Sequence, residues 1–200
     1  MTQEIRRLTR SDVESGLSED AKVDLGDLIF SALPELYEHV PMDRDALKKI
    51  LAGQVDVEMT ELSETWSYWE EGRLLALLSV VDSKALTLCQ RNGTLDIVRH
   101  LSPEGRKTFR GVLAGHGARV EDLARPEGKY LPRMAVSAAA RGRGVARKIM
   151  NHVLGLYPDQ LFALHVATTN DIVIRLHTSL GFVRQSDVDL PIVALVRPPA

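Results

Sequence analysis

The sequence predicts an α/β (α+β) fold: a mixed central sheet of about six to seven strands flanked by helices. Three observations predict it. The run Tyr130 to Val136 passes through a basic, glycine-bearing turn into an amphipathic stretch that begins at Val145, which is the pattern of strand, turn and helix. A second apolar run, Leu161 to Val166, suits a buried parallel strand, and a right-handed crossover would set it beside Tyr130 to Val136. Two further strand-like runs, Ser63 to Trp69 and Arg73 to Val81, are separated by Glu70-Glu71-Gly72 and read as an antiparallel hairpin. With 200 residues and 44% apolar content the chain can bury one core but is short for two, so residues 1–200 are read as a single domain.

In chain order, Gln3 to Thr9 alternates weakly and reads as a first strand, and Ser11-Asp12 then suits a helix start. From Ser18 to Phe30 the apolar positions Ala21, Leu25, Leu28 and Ile29 recur at helical spacing behind a Ser18 cap. Pro34 and Pro41 break the chain, and a second helix is expected from Asp43 through Leu51, ending at Gly53. The second hairpin run is almost continuously apolar, as a central strand covered on both faces should be.

Residues 84–128 change character. Asn92-Gly93 reads as a turn, Ser102-Pro103-Glu104 as a helix start, and Gly111, Gly115 and Gly117 as punctuation of a short segment. This reads as a helical insertion, with one helix near Glu104 to Leu113 and another near Val120 to Ala124. The strand at Tyr130 to Val136 then carries Pro132 near its start, where a missing ladder donor is tolerable. Val145, Ile149, Val153 and Leu156 mark the buried face of the next helix, with Arg147, Lys148, Asn151 and His152 opposite. A last helix from Asp171 to Leu180 lies between an Asn170 cap and Gly181, and Val188 to Val196 can supply one more strand.

The turn between strand and helix carries the chemistry. At a helix N-terminus the first backbone N–H groups lack intrahelical partners and the macrodipole is positive, so the site attracts phosphate. Gly142 and Gly144 remove the Cβ atoms that would block a close approach. Lys129, Arg133, Arg141, Arg143, Arg147 and Lys148 fall in a window, Gly128 to Pro158, that contains no Asp or Glu before Pro158. The whole chain, with 25 Lys+Arg against 27 Asp+Glu, has a net charge of −2, so the window is a local enrichment. The bland alternative is an ordinary turn with a solvated basic face. A dinucleotide fingerprint is not matched, because Arg147 stands at the third glycine position, and no P-loop lysine follows.

What does match is Arg141-x-x-Gly144-x-Ala146, which resembles the R/Q-x-x-G-x-G/A pyrophosphate loop of the GNAT superfamily of N-acetyltransferases. Downstream, Asn170-x-x-x-Ile174-x-Leu176-His177-x-x-Leu180-Gly181-Phe182 resembles that family's second signature, N-x-x-A-I-x-L-Y-x-x-L-G-F. The resemblance is strong over Tyr130 to Val183, weaker over Glu4 to Val81, and absent from Lys84 to about Glu127. It implies a GNAT-like sheet whose parallel strands splay at the CoA site, here near Val136. It further implies that Met134, Ala135 and Val136 hold the pantetheine arm of acetyl-CoA. The pyrophosphate would fall to the amides of Gly142, Arg143, Gly144, Val145 and Ala146, with charge from Arg141 and Arg147. A primary amine would attack the thioester directly while the Val136 N–H stabilises the oxyanion.

Asn170 and His177 share a helix face two turns apart, which the resemblance turns toward the cofactor. His177 stands where the family commonly has the tyrosine acid, so it is the candidate proton donor to the departing thiolate; Asn170 is first of all a cap. No general base is evident: His165, Glu70, Glu71 and Glu127 are conceivable, although a histidine in an apolar run is more often a core residue. The region between the first two strands borders the acceptor site in the family, which brings in Tyr37 and His39.

The competing reading is an acyl-CoA-binding sensor, or degenerate GNAT domain, without turnover; His177 in place of tyrosine favours it. A nucleic-acid module is disfavoured because the basic window lacks interleaved aromatics. No metal set is expected, since the six His show no H-x-x-x-H and the single Cys89 no C-x-x-C spacing. One cysteine excludes an internal disulfide framework, and the N-terminal stretch lacks the apolar core of a signal peptide, so a cytoplasmic protein without membrane or nucleic-acid partners is expected. The insertion at 84–128 leaves room for a lid or a homodimer contact.

Overall fold

The computed structural model describes residues 2–121, 127–185 and 191–199. β1 (Gln3–Leu8) leads through a short helical turn at Asp12–Gly16 to α1 (Glu19–Ala32), whose Ser18 cap accepts the Ala21 N–H. α2 (Pro34–Tyr37) carries Pro34 at its first position, and α3 (Arg44–Ala52) is capped by Asp43, whose carboxylate accepts the Ala46 N–H at 2.9 Å. β2 (Thr65–Glu70) and β3 (Arg73–Ser79) form the expected hairpin, and Glu71 (φ 52°) and Gly72 (φ 77°) supply the two left-handed residues that its tight turn requires. β4 (Val81–Asp82) follows directly.

Residues 84–128 differ from expectation. α4 (Leu86–Arg99) runs straight through Asn92-Gly93, and α5 (Pro103–Glu121) runs through Gly111, Gly115 and Gly117. Tertiary packing overrides the local glycine signal here. Gly93 lies on the buried face of α4, where a Cβ would come within 3.1 Å of Gln54 Oε1, and Gln54 Nε2 donates to Gly93 O at 3.0 Å. That glycine serves close approach, not a turn. Of the second helix expected in this stretch, residues 120 and 121 belong to α5 and the remainder lies outside the described residues.

The next correction creates the site. Tyr130 to Val136 is not one strand: β5 (Lys129–Tyr130) and β6 (Met134–Val136) are separated by Pro132 and pair in different sheets. α6 (Val145–Leu156), β7 (Phe162–Ala167), α7 (Asp171–Thr178), β8 (Val183–Arg184) and β9 (Ile192–Arg197) complete the chain, the expected residues 188–190 of the last strand lying outside the described residues. One sheet has the order β1-β2-β3-β6, the other β4-β5-β7-β9-β8. β5 runs parallel to β7 (Lys129 opposite Phe162, Tyr130 opposite Ala163), and the ladder ends with the Leu131 N–H on Ala163 O at 2.9 Å. Beyond that bond β6 pairs antiparallel with β3 and parts from β7, so the strands diverge after Leu131 instead of near Val136.

Each face of the sheet carries its own core. α1 and α3 pack Leu25, Ile29, Leu47 and Leu51 against Leu74, Leu77 and Ala135. α6 covers the other face with Val145, Ile149, Met150, Val153 and Leu154, packed on Tyr68, Leu78, Phe162 and Leu164. Leu156, expected on this buried stripe, is 44% exposed, and Met150 and Leu154 take its share. Burying each such side chain contributes about 1.5–3 kcal/mol.

Candidate active site: a phosphate cradle beside an open strand edge

β6 ends at Val136, a single 3-10 turn spans Ala138–Ala140, and Arg141 to Gly144 then form an exposed turn into α6. Gly142 (φ 73°) and Gly144 (φ 76°) are both left-handed, which explains their identity, and a Cβ built on either meets nothing within 4 Å. Gly144 caps α6 without a side chain, and the helix ladder starts only with the Lys148 N–H on Gly144 O at 3.1 Å. The amides of Val145, Ala146 and Arg147 therefore precede the ladder and face the open turn. The Arg143 amide differs from expectation, because it closes the turn on Ala140 O at 3.4 Å.

The cations divide in two. Lys129 pairs with Asp82 at 2.8 Å and Arg133 with Glu61 at 2.6 Å, away from the cradle; the acid-free window is thus no continuous patch. Arg133 is buried, with its guanidinium 5.9 Å from the Tyr37 ring, and Glu61 holds its pKa above the usual arginine range despite desolvation. Four cations surround the turn. Arg141 Nε reaches Val136 O at 3.4 Å, Arg147 Nη2 donates to Ser179 Oγ at 2.7 Å, and Lys148 Nζ donates to Gln3 Oε1 at 2.9 Å. Arg143 Nη2 donates to Glu70, a buried carboxylate at the end of β2 that also accepts from Gln3 Nε2 at 3.1 Å. The Arg143 guanidinium holds the Glu70 carboxyl below its ordinary range.

Register decides what β6 offers. Ser79 N–H donates to Arg133 O at 2.9 Å and Ser137 N–H to Leu75 O at 2.8 Å. Antiparallel pairs alternate between bonded and non-bonded, so Ala135, opposite Leu77, also turns its amide and carbonyl to β3. Met134 and Val136, opposite Leu78 and Ala76, direct theirs the other way, along the edge that faces the gap. Two of the three residues expected to hold an extended arm thus present backbone groups for it. Ala135 instead contributes only its buried methyl to the α1 side.

The α7 residues are placed as follows. Asn170 is exposed and caps the helix, accepting the Val173 N–H at 3.2 Å. His177 is 3% exposed, packs edge-on against Phe182 with centroids 5.1 Å apart, and shares a 2.8 Å bond with Val173 O through Nδ1. Since a carbonyl only accepts, Nδ1 carries the proton, and the neutral ring has none at Nε2 to give. Burial lowers the His177 pKa, so this environment opposes the imidazolium that a proton donor to thiolate needs. Tyr37 is buried, while His39 is exposed. The Glu70 anchor for Arg143 escaped sequence reasoning, because 73 residues separate the partners and only the hairpin's placement under α6 joins them.

No metal-binding group of three or more His, Cys, Asp or Glu occurs among the described residues, and no helix among them is long and apolar enough to cross a membrane. The fold is similar to that of an N-acetyltransferase from Staphylococcus aureus Mu50 (17% identity, 96% of this chain and 99% of that one, TM-score 0.70). It is also similar to a structure described as histone acetyltransferase HPA2 and related acetyltransferase from Corynebacterium glutamicum ATCC 13032 (16% identity, 100% and 98% of the two chains, TM-score 0.61). A chain of the NatC complex bound to Gag peptide and CoA matches at 13% identity over 100% of both chains, with a TM-score of 0.53. At such identities the likeness is one of fold. No curated protein matches the chain by sequence. The sequence model of the Acetyltransferase (GNAT) family does match, over residues 33–182, and with three quarters of its length so covered this chain belongs to the GNAT family of acetyltransferases.

Proposed function

We propose that the protein is an acetyl-CoA-dependent N-acetyltransferase that acetylates a primary amine, carried by a small molecule or a peptide, by direct attack. The observation that carries this reading is the junction of two features: a cradle of open amides and two left-handed glycines, and the backbone edge of Met134 and Val136, turned away from β3 and met only by Arg141 Nε at Val136 O among the described residues, leading away from it. The first suits a diphosphate and the second an extended amide-bearing arm, which pairs with a strand edge as a peptide does. Together they fit the two ends of coenzyme A. When bound, acetyl-CoA supplies the acetyl group as a thioester.

The residues then divide the work. Gly142, Gly144, Val145 and Ala146 offer amides to the diphosphate, while Arg141, Arg143 and Arg147 add charge. Met134 and Val136 orient the arm, and the Val136 N–H is the donor for a developing oxyanion, where one lost donor typically costs about 10²–10³ in rate. Asn170 acts through the cap that fixes α7, and the buried, neutral His177 packs that helix. A cytoplasmic protein acting on neither nucleic acid nor membrane belongs to the same reading.

One observation favours the sensor alternative: His177 is poorly placed to give a proton. Thiol release from acetyl-CoA across a panel of amines separates the two. Release that depends on both CoA thioester and amine is expected; CoA binding without release by any amine would leave the sensor.

A further inference from the structure

Of the four groups that the sequence offers as a base, Glu70 lies against the cradle itself. Glu71 is exposed at the tip of the hairpin, Glu127 pairs with Lys84 at 3.1 Å, and His165 Nδ1 lies 2.8 Å from the Tyr130 hydroxyl. Both oxygens of the Glu70 carboxylate are engaged: Oε1 accepts from Gln3 Nε2 at 3.1 Å, and Oε2 accepts from Arg143 Nη2. The residue is 8% exposed, yet the Arg143 hydrogen bond holds its carboxyl below the ordinary range, so it is an anion at neutral pH. The stretch from Gly128 to Pro158 contributes no Asp or Glu, and the negative charge at this turn therefore comes from β2.

Register brings that charge here. Gln3 stands directly opposite Glu70 across the β1–β2 ladder, close enough for a cross-strand pair, and Gln3 Oε1 accepts Lys148 Nζ at 2.9 Å. Lys148, Gln3, Glu70 and Arg143 thus form one chain of hydrogen bonds. It begins and ends on the residues that flank the open amides of Val145, Ala146 and Arg147. The four cations around the turn are therefore of two kinds. Arg141 and Arg147 bond neutral oxygens, Val136 O at 3.4 Å and Ser179 Oγ at 2.7 Å, whereas the charge of Arg143 is balanced by a buried carboxylate. A pair that only pinned the turn to the sheet could use a neutral acceptor, which would not repel an anion bound at the amides.

We propose that Glu70 is a specificity-determining residue of the cradle: a fixed counter-anion that lowers affinity for every phosphate ligand, and most for the most highly charged. Coenzyme A is then held reversibly, and triphosphates are disfavoured. This inference rests on the reading of the turn as a diphosphate cradle. Glu70 acts through Arg143 and through its own field, and repulsion by a unit charge scales with the charge of the ligand, so a triphosphate is penalised more than a diphosphate.

Calorimetric titrations on the full chain measure Kd for CoA, ADP and ATP with wild type, Glu70→Gln and Gln3→Glu, each checked for folding by a thermal melt. Glu70→Gln keeps the side-chain length and an oxygen for Arg143 while removing the charge. A unit charge about 8 Å from the ligand, at an effective dielectric between about 20 and 80, changes Kd by about 2- to 30-fold, so CoA should bind about tenfold more tightly. The gain should be larger for ATP than for ADP and should shrink as salt rises. Gln3→Glu, at an exposed edge position, adds a second carboxylate to the same chain and should weaken CoA binding by a similar factor. A folded Glu70→Gln protein that binds CoA no more tightly than wild type overturns the assignment and leaves the cradle intact, since that is what a merely structural pair predicts. Should Glu70→Gln not fold, unchanged CoA affinity in Gln3→Glu overturns it equally. Failure of the wild type to bind CoA would overturn both readings.

Discussion

Gly144→Glu tests the cradle most directly, because its effects on fold and on binding separate. Gly144 sits at φ 76°, where a non-glycine residue costs about 1–2 kcal/mol. A Cβ at this position meets nothing within 4 Å, so no steric cost is added and the variant should fold with a modestly lowered thermal midpoint. Binding should suffer far more. The new carboxylate occupies the space that phosphate oxygens need, and two unit charges about 5 Å apart at an effective dielectric of about 20 repel by roughly 3 kcal/mol, or about two orders of magnitude in Kd. Gly155→Glu is the control: it changes the charge equally, at another α6 glycine whose Cβ would also meet nothing within 4 Å. At about 1.5 Å per residue it lies roughly 16 Å along the helix, beyond the Debye length of about 8 Å at physiological salt. Calorimetric titration with CoA should show near-complete loss for Gly144→Glu and almost none for Gly155→Glu. A folded Gly144→Glu protein with wild-type affinity would refute the cradle.

Acetyl-CoA at a hundredfold excess over Kd should stabilise the native state by about 2.7 kcal/mol in a thermal melt, and NAD and ATP should do much less; equal shifts would mean a generic anion site. His177→Phe should leave kcat within about threefold of wild type, far short of the 10²–10⁴-fold expected for loss of a general acid; a loss in that range would restore the proton to His177. The same residue should make stability pH-dependent. Its folded pKa lies below the unfolded 6.5, so stability is fully present above about pH 6.5 and falls below it by at most one proton, about 1.4 kcal/mol per pH unit. Melts between pH 7 and 5 should be flatter for His177→Phe than for wild type, and identical slopes would disprove the assignment. Arg143→Ala should lower the thermal midpoint although Arg143 itself is half-exposed, because it strips Glu70 of its cation, and adding Glu70→Gln should recover the loss; additive losses would show that the pair is not coupled.

The sequence disclosed what local rules control. The hairpin at Glu71-Gly72, the Ser18 and Asn170 caps, and the glycine turn before α6 are each set by residues within a few positions of one another. It misled where distant groups intervened. Gly93 looked like a turn because Gln54, packed against it, is 39 residues away, and α5 stays helical through its glycines around the fully buried Phe109. The six basic residues looked like one patch because their acidic partners Asp82 and Glu61 lie outside the window. At the site, Gly142 and Gly144 were legible from chain geometry and Arg141 from charge. The environment of His177 was not, since only the packed Phe182 and the Val173 carbonyl show that its ring is desolvated and neutral.

The break at Pro132 turns a continuous apolar stretch into a cleft. Lys129 and Leu131 give their N–H groups to β7, so the Pro132 position turns away from that strand, and past the proline the two halves of the stretch join different partners. β5 keeps the parallel pairing and β6 takes the edge of β3. Once β6 is registered on β3, period-two alternation does the rest: the bonded pairs at Arg133, Ala135 and Ser137 satisfy the sheet, and Met134 and Val136 are left with polar backbone turned to the gap. A slip of one residue would reverse every assignment, turning Ala135 outward and carrying the methyl that packs on the α1 side into the α6 core. The buried Leu77 and Leu78, on opposite faces of β3, fix that register from both sides. The backbone groups proposed to meet acetyl-CoA are therefore specified by apolar packing on two faces of the sheet, through residues that never touch the ligand.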